Sequence, residues 1–97
     1  MRLVCAGHVN HDVTLRLDRL PGTDEEARIE AERRGGGGSA ANVATALAAL
    51  GADVAVLGSV GDDDRGSGLR RDLSSAGVDC AHLVTAEGRT ASKRLLV

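Results

Sequence analysis

The chain has 97 residues, 42% of them apolar, which suits one small domain with a limited core and excludes a compositionally disordered tail. It holds no Phe, Trp or Tyr, and its net charge of −2 comes from 12 basic and 14 acidic residues mixed along the chain. With no basic face and no ring to stack on a base, nucleic-acid binding is not expected, and Val, Leu and Ala must supply the buried area that rings supply elsewhere.

Residues Arg2 to Gly7 read as a short buried strand. Val13, Leu15 and Leu17 alternate with Thr14, Arg16 and Asp18, which predicts a half-exposed strand. Leu20 to Asp24 carries a Pro-Gly turn, and Ala27, Ile29 and Ala31 then predict a second amphipathic strand. Such a pair makes a ribbon with one wet face. The glycines from Gly35 to Gly38 form a run before Ser39, which is read as the N-cap of a helix to about Leu50, with Gly51 just beyond its end. Val43, Leu47 and Leu50 are the expected apolar stripe of that helix, its alanines permitting close approach to a sheet. Asp53 to Ser59 predicts a buried strand, Asp64 to Ala76 a helix ended by Gly77, Val78 to Val84 a further short strand, and Thr90 to Val97 an extended segment. Strands alternating with helices imply an α/β layer with a parallel sheet. Ending on the apolar run Leu95-Leu96-Val97, the chain reads as an N-terminal fragment of a longer domain.

Cys5 and Cys80 lie far apart and in no metal or redox spacing, so two reduced, buried thiols are expected. The start MRLVCAG is too short for a signal peptide, and no apolar run approaches a membrane span. The expected location is therefore cytoplasmic, with no membrane partner.

Three constellations carry chemistry. In Gly7-His8-Val9-Asn10-His11-Asp12, a strand gives way at the sheet's carboxyl edge, where α/β proteins bind ligands. Asn10 can donate and accept, and Asp12 accepts, so the pair suits adjacent sugar hydroxyls; the competing reading is an Asx turn. In Gly35 to Asn42, glycines before a helix N-terminus let main-chain N–H groups approach a polar ligand, with Asn42 in the first turn. It is neither a Walker A loop, lacking the Lys-Ser/Thr pair, nor a dinucleotide fingerprint. The competing readings are a flexible link and a surface asparagine. In Val60-Gly61-Asp62-Asp63-Asp64-Arg65-Gly66, three acids suggest calcium. The EF-hand pattern fails, because Ser67 and Leu73 stand where a glycine and a glutamate are needed, so one Asp is expected to cap the next helix. His8, His11 and His82 offer no assignable metal set, and no metal site is expected.

Taken in order, GHVNHD, GGSAANVATALAALG and VGDDDRG resemble the three N-terminal motifs of the ribokinase/PfkB carbohydrate kinases, across essentially the whole chain. The resemblance implies a ribokinase-like α/β fold, a parallel sheet with flanking helices plus a small β-sheet lid. Residues 1–97 would be part of one kinase domain, with lid strands at about 13–32 and 90–97. It implies Asn10 and Asp12 as sugar-hydroxyl ligands, and Gly38, Ser39 and Asn42 in the second sugar-binding segment; Ser39 stands where some ribokinases have Lys. It also implies ATP and Mg2+ for a full-length parent that transfers the γ-phosphoryl group to a sugar hydroxyl. The family's catalytic Asp lies in a later G-A-G-D segment that these residues do not contain, so no catalytic residue is assigned here and the chain alone is expected to be inactive. The alternatives are a nucleoside kinase of the same superfamily, a non-catalytic sugar-binding module that dimerises through its lid strands, and a gene remnant that barely folds.

Overall fold

A computed structural model describes residues 1–97. The elements in order are β1 (Arg2–Ala6), β2 (Asn10–Leu17), β3 (Ile29–Gly37), α1 (Ser39–Ala49), β4 (Asp53–Gly61), α2 (Asp64–Ser75), β5 (Leu83–Ala86) and β6 (Ser92–Leu96). Two three-stranded sheets result. One is parallel in the order β1-β4-β5; the other, β3-β2-β6, pairs β2 antiparallel with β3 and parallel with β6. The second sheet projects from the first and stretches the molecule to 52 × 31 × 19 Å.

The core lies between the parallel sheet and its two helices. Strand alternation turns Leu3 and Cys5 of β1, and Val54 and Val56 of β4, toward Ala40, Ala41 and Ala44 of α1 and Leu69 and Leu73 of α2. The same alternation puts Val4, Leu57 and Val84 on the opposite face, where they are 60%, 48% and 57% exposed. Parallel sheets are ordinarily covered on both faces; here the helices cover one.

Several sequence expectations need correction. The glycine run is not a loop: Gly35, Gly36 and Gly37 finish β3, paired with Asp12, His11 and Asn10. The small-sheet strands therefore run beyond the expected 13–32 at both ends, because glycines extend a strand wherever a neighbour supplies the hydrogen bonds. Ser39 is not the N-cap. Gly38 is, with φ +96, and the His8 carbonyl accepts from the N–H groups of Ala40 (3.1 Å) and Ala41 (3.4 Å), doing the work of a capping side chain. Of the stripe expected on α1 only Leu47 packs against the core; Val43 and Leu50 are exposed, while Ala40, Ala41 and Ala44 are buried. Close helix–sheet approach selects the small residues. β3 is exposed on both faces up to Gly36, so Ile29 and Ala31 have no covered side. The strand expected from Val78 begins only at Leu83, and Asp79 contributes a lone bridge to Ala55.

Other expectations hold. Gly51 (φ +87) and Gly77 (φ +93) follow the two helices, and α2 starts at Asp64 as expected. Cys5 and Cys80 are free as expected but half-buried rather than buried, and burial pushes the Cys80 thiol up. No helix is long and apolar enough to cross a membrane.

Candidate functional site

The site grows from the carboxyl end of β1. Gly7 leaves the strand with φ +147, and a side chain there would press on Ser39 Oγ. The chain turns through His8, whose carbonyl holds the first turn of α1, into β2. Asn10 pairs with Gly37 and Asp12 with Gly35, so these four share one face of the second sheet. His11 points the other way, into a recess with Arg34, Asp64 and Asp72 beside α2, and its Nδ1 is buried without a partner.

Asp12 is the distinctive group. A Cβ on Gly37 would overlap its carboxylate, so the side chain lies directly over the glycine backbone. Its Oδ1 is shut off from solvent and makes no hydrogen bond. A buried carboxylate oxygen is ordinarily satisfied, so this unpartnered one is an exception within the second sheet. Neither Asn10 nor Asp12 bonds the backbone two residues on, and both are in a strand, which removes the Asx-turn reading. Gly38 is buried, and a side chain there would collide with the His8 carbonyl.

The structure brings Asn10, Asp12, Gly37, Gly38 and Ser39 to one junction, where the second sheet meets the N-terminus of α1. Asn42 stands apart. It lines a groove between α1 and α2 with Val9, Thr45 and Asp72, a groove that Asn10 and Asp12 do not line.

The acidic motif is a clamp. Asp63 caps α2 by accepting from Gly66 N–H (2.9 Å), and it also accepts from the Thr90 N–H (3.0 Å) and hydroxyl. Those bonds, the Thr90 hydroxyl first, lower its carboxyl to about 2. Thr90 Oγ1 accepts from Gly61 N–H (3.0 Å), and Asp62 Oδ1 accepts from Gly88 N–H (3.0 Å). Gly61 and Gly66 are required, because a Cβ on either would meet backbone. The clamp fixes the segment that leads into β6 and so fixes the second sheet. Sequence reading found the cap but missed Thr90 and Gly37; Thr90 becomes visible only as the partner of an acid 27 residues earlier. No three His, Cys, Asp or Glu side chains converge as metal ligands.

Comparison with known proteins agrees with this arrangement. The model for pfkB family carbohydrate kinases matches residues 1–97. The chain is 60% identical to the ATP-dependent ribose-1-phosphate kinase of Halopiger xanaduensis, over all of this chain and 33% of that protein. It is 33% identical to the ribokinase of Bacillus subtilis, over 91% of this chain and 35% of that protein. Among solved structures, the nucleoside kinase of Methanocaldococcus jannaschii superposes with a TM-score of 0.85 at 27% identity, covering 99% of this chain and 32% of that one. The Arabidopsis thaliana ribokinase complexed with ribose and ATP gives 0.84 at 25% identity, covering 97% and 31%. The chain thus spans about a third of the length of these relatives. With a ribokinase-like fold and a family match along its full length, the chain belongs to the pfkB family of carbohydrate kinases.

Proposed function

We propose that the protein is an ATP-dependent kinase whose acceptor is ribose or a ribose phosphate, and that residues 1–97 form the sugar-binding side of its site. The observation that carries this reading is the Asp12 carboxylate, laid over Gly37 with a buried, unpartnered oxygen. The 60% identity to a ribose-1-phosphate kinase, over all of this chain and 33% of that protein, supports the acceptor class.

In this reading Asn10 and Asp12 hold adjacent hydroxyls, Gly38 and Ser39 bring main-chain groups close, and the β3-β2-β6 sheet is the lid over the sugar. Asn42, in the groove between α1 and α2, stands apart from these groups. One sugar hydroxyl attacks the γ-phosphorus of ATP, the bond to the β,γ-bridging oxygen breaks, ADP leaves, and the hydroxyl proton passes to a base outside these residues. The chain's part is positioning, which is a large share of phosphoryl-transfer catalysis. ATP places the reaction in the cytoplasm. The apolar face bearing Val4, Leu57 and Val84 then packs against the remainder of a kinase domain.

The test is ADP release by the intact protein with ribose, ribose 1-phosphate and nucleosides offered in turn. Turnover of a ribose acceptor, falling about 100-fold or more in Asp12→Ala, is expected. A preference for nucleosides would make it a nucleoside kinase. Sugar binding without ADP release, in a dimer joined along β3 or β6, would make it a binding module.

A further inference from the structure

We propose that Lys93, assisted by Arg33, is the specificity determinant that admits an acceptor already carrying a phosphate. The inference rests on the reading of Asp12 as a sugar ligand. Lys93 is the only lysine of the chain, and strand register sets it directly beside Asp12 across the β2–β6 pair. Paired residues on neighbouring strands share a face. The neighbours of Lys93 confirm its direction: Ser92 and Arg94 line the recess with Asp63 and Arg65 on the α2 side, so Lys93 between them faces the side of Asp12. On the other flank of β2, Thr14 pairs with Arg33, which puts a second cation on the same face.

Charge decides what such a face accepts. Asp12 alone repels a phosphate. Arg16, on the same face, is engaged by Glu30, whereas neither Lys93 nor Arg33 takes part in an ion pair or a side-chain hydrogen bond with this chain. Two free cations against one carboxylate leave the face net positive. Gly35, paired to Asp12 on the β3 side, contributes no side chain, which leaves room for a sugar on the flank of Asp12 opposite Lys93. Adjacent strands lie about 4.8 Å apart, and the four-carbon lysine stem spans the distance from a hydroxyl on Asp12 to a phosphate on the next carbon. A free sugar needs Asp12 and Asn10 but has nothing for Lys93 to hold.

The test compares the intact protein with Lys93→Ala and Lys93→Arg, using ribose 1-phosphate and ribose with ATP. Lys93→Ala should lower kcat/KM for ribose 1-phosphate by about 10- to 100-fold, the worth of one charge-assisted contact, and mainly through KM. The change for ribose should stay under about 3-fold, and Lys93→Arg should recover most of the loss. Equal losses with both acceptors, or a rise in KM for ATP instead, would overturn the assignment. Calorimetric titration of ribose 1-phosphate separates the two layers of the argument. If the protein binds the sugar phosphate and Lys93→Ala does not, the assignment stands even where no ADP is released and the kinase reading falls. If the parent protein binds no sugar phosphate, or the variant binds it equally well, the assignment is wrong.

Discussion

Thr90→Val removes one hydroxyl at nearly constant volume from a residue that is only 4% exposed. In the parent, that oxygen accepts from Gly61 N–H at 3.0 Å and donates to Asp63. Valine does neither, and Gly61 is itself buried, so its N–H loses its partner with no water to replace it. Leaving a buried donor unpaired costs about 1–3 kcal/mol. Thr90→Ser keeps both bonds and gives up one buried methyl, about 0.8 kcal/mol. The two variants therefore separate the hydrogen bonds from the packing. Amide hydrogen exchange at Gly61 and along 88–92 reads the effect locally in the intact protein. Thr90→Val should speed exchange of the Gly61 amide by roughly 5- to 150-fold, the same free energy expressed as a ratio. The loss should spread into β6, because the His11 N–H bonds the Ala91 carbonyl one residue past the clamp. If Thr90→Ser loosens the region as much as Thr90→Val, packing rather than hydrogen bonding holds the second sheet, and the clamp argument fails.

The same clamp carries a pH signature. Asp63 falls from an ordinary 3.8 to about 2 in the folded chain. A depressed carboxyl adds stability that is complete above about 3.8 and lost as pH falls through about 2. Acid unfolding followed by circular dichroism should therefore show a steeper loss in that window for the parent than for Asp63→Asn. Glycine substitutions should divide by position. Gly38→Ala, with φ +96 and the His8 carbonyl in the way, should cost about 1–3 kcal/mol in urea unfolding. Gly35→Ala meets nothing within 4 Å and should stay within about 0.5 kcal/mol of the parent. Gly37→Ala should cost sugar affinity more than stability, because its methyl displaces the Asp12 carboxylate; calorimetry with ribose beside a urea titration checks the pair.

The α/β class, both helices with their glycine stops, and the strands β1 and β4 were legible in the residues alone, because those features are local. Periodicity, a Gly at φ > 0 and an Asp before a helix act within a few residues. The sequence also carried the family, since three motifs in order are a property of the string. Which face of α1 is buried depends on tertiary packing, because the side with Ala40, Ala41 and Ala44 wins through close approach to β1 and β4. Likewise, Gly35 to Gly37 became strand because β2 offered a ladder, and Gly38 replaced Ser39 as cap because the His8 carbonyl was near. Thr90 and Lys93 have no local signal at all. One gains its role from an acid 27 residues earlier, the other from a strand paired across 81 positions of chain. Hydrogen bonds and strand register join residues by distance in space, which the order of residues does not encode locally.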